Sequence, residues 1–118
     1  MDEGILALMF ASASPAVVLA DGVVFCSPFA DYHGRDRVGR LVPPIGRVLE
    51  KPELVCRYEG ERDRMTIVEA SVAGLSARAA LREQLDDAER VREATLWLRP
   101  YAQLRDAMRI MHTLMTGT

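Results

Sequence analysis

Strictly alternating apolar and polar residues dominate the second half of this chain. Four runs alternate in this way, and they cover residues 54–59, 65–73, 76–85 and 91–99. A period of two is typical of a β-strand that buries one face. Short segments with turn-forming residues separate the runs, at 60–63, 73–74 and 86–89. The pattern therefore predicts four consecutive antiparallel strands joined by short turns.

Two other stretches repeat with helical spacing. In residues 35–51 the apolar face consists of Val38, Leu41, Val42, Ile45 and Leu49. After Pro100 it consists of Tyr101, Leu104, Met108, Met111 and Met115. Pro43 and Pro44 interrupt the first stretch, and a proline inside a helix costs about 3 kcal/mol. We therefore expect two short helical pieces there, or one sharply kinked helix, ending before Pro52.

The N-terminal part reads as short helices followed by one strand. Spacing and caps predict helices over residues 5–11 and 15–20, a strand over 23–27 and a loop over 29–34. Helices first and consecutive strands afterwards are typical of the α+β class with a meandering antiparallel sheet. At 118 residues, the whole of 1–118 is predicted to form a single domain.

Composition and charge exclude several kinds of partner. A net charge of -2 and the lack of a basic cluster argue against nucleic acid. The apolar stretch 4–20 opens with Asp2 and Glu3 and contains Pro15, which argues against a signal peptide or a membrane span. Cys26 and Cys56 lie in apolar strand-like segments, so buried free thiols and a cytoplasmic location are expected. No His or Cys pair has ligand spacing, so neither a metal nor a cofactor is predicted.

Three local motifs resemble a known family in their order and spacing. The run 20–29 with His33-Gly34-Arg35 looks like the strand and loop after the early helices of nuclear transport factor 2-like domains. The segment 85–91 looks like their last hairpin turn. The segment 98–101 looks like the strand-to-helix junction of the SnoaL-like members. Two departures are a short leading helix and Ala88-Glu89 where relatives commonly have glycine, which suggests a different turn type.

The resemblance implies a cone. A strongly curved antiparallel sheet would wrap around the N-terminal helices, with the C-terminal helix at a ligand cavity and often a homodimer through the outer sheet face. Members of the superfamily include ketosteroid isomerases, limonene epoxide hydrolases and SnoaL-like polyketide cyclases. Because function varies so widely on this fold, the resemblance alone does not choose among them.

The carboxylates that these enzymes use are absent from the matching positions. Ketosteroid isomerases need a carboxylate base and a second, neutral carboxyl, and the matching residues here are Ser27 and Leu81. Epoxide hydrolysis would need an acid on the inward face of the last strand, where Ala94, Leu96 and Leu98 lie. Both mechanisms therefore lack their residues.

Four other polar residues are candidates for cofactor-independent acid–base chemistry. Glu83 shares a strand face with Leu81, and a carboxyl in an apolar pocket acts as a general acid or base. The alternative is a solvated or ion-paired Glu83 at the open end of the strand. His33 and Tyr32 would polarise a substrate and transfer protons, with Ser27 as a hydrogen-bond donor, although a loop histidine is more often bonded to backbone. Glu69, on the opposite face, is expected to pair with Arg78 or Arg82.

The apolar residues divide into two predicted surfaces. The cavity lining is expected to comprise Phe25, Val68, Ala70, Ala79, Leu81, Ala94, Leu96, Leu98, Met108, Met111 and Met115. The outer sheet face, predicted to be a homodimer interface, comprises Ile67, Ala80, Thr95, Trp97 and Arg99. The leading hypothesis is a SnoaL-like protein that binds, or acts as an isomerase, cyclase or hydrolase on, an apolar polycyclic or terpenoid molecule. The alternative is a non-catalytic homodimeric interaction module that uses the sheet face.

Overall fold

The computed structural model describes residues 2–117. It contains four helices, α1 Gly4–Phe10, α2 Pro15–Val18, α3 Arg35–Val48 and α4 Tyr101–Thr116. Its six strands are β1 Leu19–Cys26, β2 Asp31–His33, β3 Glu50–Glu59, β4 Asp63–Val72, β5 Leu75–Leu85 and β6 Val91–Arg99. The predicted α+β class is confirmed.

The six strands form one curved, open sheet in the order β2-β1-β6-β5-β4-β3. The pairs from β3 to β6 are antiparallel, as the alternating runs predicted. The sheet is mixed rather than purely antiparallel, because β1 runs parallel to β6. β1 and β6 are distant in sequence, and a parallel pair needs such a long connection between its two strands.

Helix α3 runs as one helix through Pro43 and Pro44, so the predicted division into two short helices is wrong. The helix buries five large apolar side chains: Val38, Leu41, Val42, Ile45 and Val48. Each such burial is worth about 1.5–3 kcal/mol, so packing outweighs the cost of the prolines. The helix ends at Val48, earlier than predicted, and β3 begins at Glu50.

Two strand predictions need correction at the start of the sheet. Residues 31–33, expected to be loop, form the short edge strand β2, which pairs with the end of β1. Strand β1 begins at Leu19 rather than Val23 and carries an irregularity before Val24. Hydrogen bonding to neighbouring strands determines the extent of both strands. A three-residue edge strand is too short for its sequence to show a period.

The central strands bury one face and leave the other more exposed, as the period of two predicted. Val68, Ala79, Leu81 and Ala94 are buried with the helices in one apolar cluster, whereas Trp97 is 48% exposed on the other side. On that outer face Glu69 forms an ion pair with Arg78, as expected.

The turn between β5 and β6 keeps its shape although it has no glycine. Glu89 adopts φ +62°, in the left-handed region that favours glycine. The side chain of Asp86 holds this turn, since its Oδ1 accepts the backbone N–H groups of Ala88 and Arg90, both at 2.9 Å. The hydrogen bond from Arg90 is the main reason that the pKa of Asp86 lies below its ordinary value.

Neither cysteine forms a disulfide, and both are half-buried rather than fully buried. They lie on β1 and β3, which β6, β5 and β4 separate in the sheet. Four strand spacings of about 4.8 Å put them far beyond disulfide distance. None of the helices between residues 2 and 117 has the length and apolar character needed to cross a membrane.

Candidate ligand pocket

A narrow apolar slot lies between α3, α4, β6 and the loop that follows β1. Its lining comprises Ser27, Pro28, Phe29, Tyr32, Leu41, Ile45, Val48, Leu49, Leu96, Leu98, Leu104, Ala107, Met108 and Met111. We call this cavity the apolar slot. It places aliphatic side chains on three walls and leaves one end at the surface, where Phe29 is 53% exposed.

Each wall of the apolar slot follows from a simple repeat in the sequence. Leu41, Ile45 and Leu49 are spaced four residues apart, so they fall on one face of α3 and just beyond its end. Leu96 and Leu98 are two residues apart on β6 and therefore point to the same side of the sheet. Ala107 and Met111, one turn apart on α4, close the cavity from above.

The apolar slot is small. Its cavity volume is about 50 Å³. One water needs roughly 10–15 Å³ on this scale, so the space corresponds to about four water molecules. A steroid-sized ring system therefore does not fit unless α4 or the methionine side chains move. A cavity that binds one benzene ring measures roughly 150 Å³, so only a short alkyl segment fits without rearrangement.

The structure places the predicted lining residues in three environments. Leu96, Leu98, Met108 and Met111 line the apolar slot. Six others are buried in the core without reaching it: Phe25, Val68, Ala70, Ala79, Leu81 and Ala94. Met115 lies outside the cavity, near the end of α4, and is 49% exposed.

Ser27 and Tyr32 are the two hydroxyl-bearing residues of the apolar slot. The Ser27 hydroxyl is occupied by its own turn, since it donates to the Ala30 carbonyl at 2.8 Å and accepts the Ala30 N–H at 3.1 Å. The ring of Tyr32 is half-buried, and the guanidinium of Arg37 lies 5.5 Å from its centroid. Tyr32 is thus better placed than Ser27 to meet the polar part of a ligand.

Glu83 is buried elsewhere in the fold, and its carboxylate is fully engaged. It is 1% exposed and does not line the apolar slot. The Nε of Arg64 donates to its Oε1 at 2.8 Å, and the backbone N–H of Ile5 donates to its Oε2 at 2.9 Å. Glu83 therefore ties β4 and β5 to the first turn of α1.

The surroundings of Glu83 are closely packed and charged. A Cβ on Gly4 would lie 2.2 Å from Oε2 of Glu83, and Gly4 has φ +57°, so glycine is required there. On the outer side Glu3 contacts Arg64 at 3.1 Å. Burial lowers the pKa of Arg64, but the hydrogen bond and charge of Glu83 outweigh it and raise the pKa above its ordinary value. Arg64 therefore stays charged at neutral pH.

His33 lies at the surface, away from the apolar slot, at the end of β2. It is followed by Gly34, which adopts φ +95° at the start of α3 and donates its N–H to the Val23 carbonyl at 2.8 Å. Of the four candidate catalytic residues, the fold brings together only Ser27 and Tyr32. Across residues 2–117, no three His, Cys, Asp or Glu side chains converge as metal ligands would.

Comparison with solved structures yields the same architecture repeatedly. A steroid delta-isomerase from Pseudomonas aeruginosa superimposes with a TM-score of 0.85 at 19% identity, over 96% of this chain and 84% of that one. A protein with a cystatin-like fold from Silicibacter pomeroyi gives 0.81 at 21% identity, over 86% and 74%. An NTF2-like protein from Cytophaga hutchinsonii gives 0.63 at 17% identity, over 85% and 87%.

This chain has the nuclear transport factor 2-like fold. The likeness that the motifs indicated is thereby confirmed at the level of structure. No protein-family model matches the sequence. No curated protein matches it either. At these identities the nuclear transport factor 2-like fold fixes the architecture and leaves the activity open.

On this fold, Ser27 and Leu81 occupy different surroundings. Ser27 borders the apolar slot, whereas Leu81 is 1% exposed in the core, opposite Leu96 on the neighbouring strand. A carboxyl at the position of Leu81 would be surrounded by aliphatic groups, and here that position contributes only packing.

Sequence reasoning missed the α3 wall and the partner of Glu83. The helical repeat identified Leu41, Ile45 and Leu49 as one face, but it did not reveal that this face meets α4 across a cavity. Arg64 lies at the edge of a predicted turn, and its pairing with Glu83 depends on the register of β4 against β5. The two residues stand directly opposite each other, so a strand-pairing argument could have found them.

Proposed function

We propose that this protein binds a small apolar molecule in the apolar slot. The apolar, partly open cavity carries this proposal, since the side chains of its walls are apolar except for the Tyr32 and Ser27 hydroxyls. Aliphatic walls with few polar groups are typical of sites that recognise apolar molecules. The similarity to a steroid delta-isomerase supports small-molecule binding in general.

The arrangement supports binding better than it supports acid–base catalysis. Glu83 is held by Arg64 and the Ile5 N–H, and His33 lies at the surface, so neither is placed to transfer a proton in the cavity. The proposed ligand inserts a slim aliphatic portion, because the cavity volume is about 50 Å³. Homodimerisation and a cytoplasmic location remain predictions.

Filling the apolar slot tests this proposal. Ala107 is buried and lines the cavity, so Ala107→Leu should place its isobutyl group in the space that a ligand needs. We expect the affinity for 1-octanol to fall at least tenfold, a loss of about 1.4 kcal/mol or more. Isothermal titration calorimetry against a dilution series of 1-octanol measures this change.

Ala102→Leu is the matched control. Ala102 lies on the same helix, is exposed and does not line the apolar slot, so this variant should bind 1-octanol as the parent protein does. Equal affinity in both variants and the parent would show that 1-octanol binds somewhere else. No binding by the parent protein would refute the proposed function.

A second candidate function is a non-catalytic homodimeric interaction module that uses the outer sheet face. The strand register places Trp97, Ala80, Ile67 and Cys56 in one row across β6, β5, β4 and β3. Trp97 is 48% exposed, and nearby on β3 Tyr58 is 66% exposed. An apolar row with exposed aromatic side chains on the same sheet face favours an interface.

The neighbouring row of charges supports a two-fold arrangement. It reads Arg99, Arg78, Glu69 and Glu53 from β6 to β3, positive at one end and negative at the other. A two-fold axis parallel to the strands, between β4 and β5, would set the positive half of one copy against the negative half of the next. Such a self-complementary patch is what an isologous interface requires.

Trp97→Asp should convert a dimer to monomer. Burying an aspartate in a face-to-face contact is costly, so we expect the dimer dissociation constant to rise at least about tenfold. Sedimentation equilibrium at micromolar concentration measures it, with Leu114→Asp on α4 as a control that also places a charge on an exposed apolar residue. A parent protein that sediments only as monomer would exclude the module.

A further inference from the structure

We propose that the ligand of the apolar slot is an amphipathic carboxylate, whose head group binds Arg37 and Tyr32 at the open end of the cavity. This inference rests on the proposed function and adds a chemical class to it. It follows from the position of Arg37 relative to the slot wall, from its contact with Tyr32 and from the charges around it.

Arg37 continues the slot wall toward the surface. It precedes Leu41 by four residues, and Leu41 precedes Ile45 by four, so the three side chains follow one line along α3. Leu41 and Ile45 line the apolar slot, and Arg37 stands one turn earlier, where α3 is exposed. A ligand lying along this wall would have its outer end at the guanidinium.

The guanidinium of Arg37 is positioned over the aromatic ring of Tyr32. Its Cζ lies 5.5 Å from the ring centroid of Tyr32, which itself lines the slot. A guanidinium that contacts an aromatic face keeps its N–H donors at the edge of its plane, where they match the two oxygens of a carboxylate. The Tyr32 hydroxyl offers a further donor close by.

The charge of Arg37 is available. Within residues 2–117, no carboxylate forms an ion pair with Arg37, whereas Arg35, two residues earlier, contacts Asp21 at 2.7 Å. The lining of the slot contains no charged side chain, so the Arg37 guanidinium beside Tyr32 is the cation that an anionic head group would meet. A monocarboxylate with an alkyl tail would match the apolar walls of the slot and the guanidinium that lies over Tyr32.

Octanoate and 1-octanol form a matched pair of probes for this inference. They share the alkyl chain and differ in the head group. We expect the parent protein to bind octanoate about five- to tenfold more tightly than 1-octanol at low salt, as an exposed but oriented charge pair allows. The preference should shrink as salt is added, because screening weakens exposed charge pairs. Calorimetric titration of both ligands measures it.

Arg37→Gln should abolish the preference for octanoate, because it should weaken octanoate binding far more than 1-octanol binding. Tyr32→Phe, which keeps the ring, should reduce the preference in part. Arg47→Gln is the matched control, since it removes one exposed charge from the same helix on a face away from the slot.

The outcomes distinguish a failure of this inference from a failure of the proposed function on which it rests. If 1-octanol binds and octanoate binds no better, or if Arg37→Gln leaves the preference intact, the carboxylate inference is overturned while the binding function stands. If neither probe binds the parent protein, the proposed function fails and the inference fails with it.

Discussion

Glu83→Leu should lower the free energy of unfolding by about 3–5 kcal/mol, which is the usual cost of removing one partner from a buried ion pair. Arg64 would keep its charge with only 11% of its side chain exposed. The Ile5 N–H would also lose its acceptor at the start of α1. Equilibrium urea denaturation followed by circular dichroism measures the change.

Two further variants decide whether the buried pair causes this loss. Glu69→Leu removes a carboxylate from the exposed pair with Arg78 on the adjoining strand, and it should cost less than about 1 kcal/mol. Adding Arg64→Leu to Glu83→Leu should recover part of the stability, because it removes a largely buried charge whose remaining partner is the exposed Glu3. A Glu83 variant that loses no more stability than the Glu69 variant would show that the network does not hold the N-terminus.

Gly46→Ala should destabilise the protein by about 2–3 kcal/mol, although alanine is intrinsically the better helix former by about 1 kcal/mol. A Cβ on Gly46 would lie 2.2 Å from the Met9 carbonyl oxygen and 2.8 Å from its carbonyl carbon. Those atoms belong to the backbone of α1 and cannot rotate away. The two helices must therefore separate, and the core between them must loosen. Thermal unfolding followed by circular dichroism tests the sign.

Gly39→Ala is the control for Gly46, in the same helix. Its Cβ would meet only the ring atoms of Pro15, at 3.0 Å, so a small shift would relieve the contact. We expect the free energy of unfolding to change by less than about 1 kcal/mol, because the higher helix propensity of alanine and the crowding against Pro15 act in opposite directions. If Gly46→Ala raised the melting temperature, the close approach of α1 and α3 would be refuted.

Much of the architecture could be predicted because a period of two and a period of 3.6 are local properties of a chain. The alternation in residues 91–99 placed Leu96 inward and Trp97 outward, and both placements hold. The same reasoning failed at Pro43 and Pro44, since it counted the local cost of proline without the burial that offsets it.

The candidate site was predicted only in part, and for the same physical reason. Leu96, Leu98, Met108 and Met111 follow from strand parity and a helical stripe, and they do line the apolar slot. The α3 wall does not follow, because a helical repeat shows that a face is apolar without showing what it faces.

The sequence by itself determined which strand residues turn inward and which turn outward. Only the tertiary structure decided what Glu83 does. Arg64 and Ile5, its partners, are 19 and 78 residues away along the chain. Strand register and helix docking bring them together, and these depend on the whole core rather than on any local pattern. The same packing decided that the cavity is a narrow apolar slot between α3, α4 and β6.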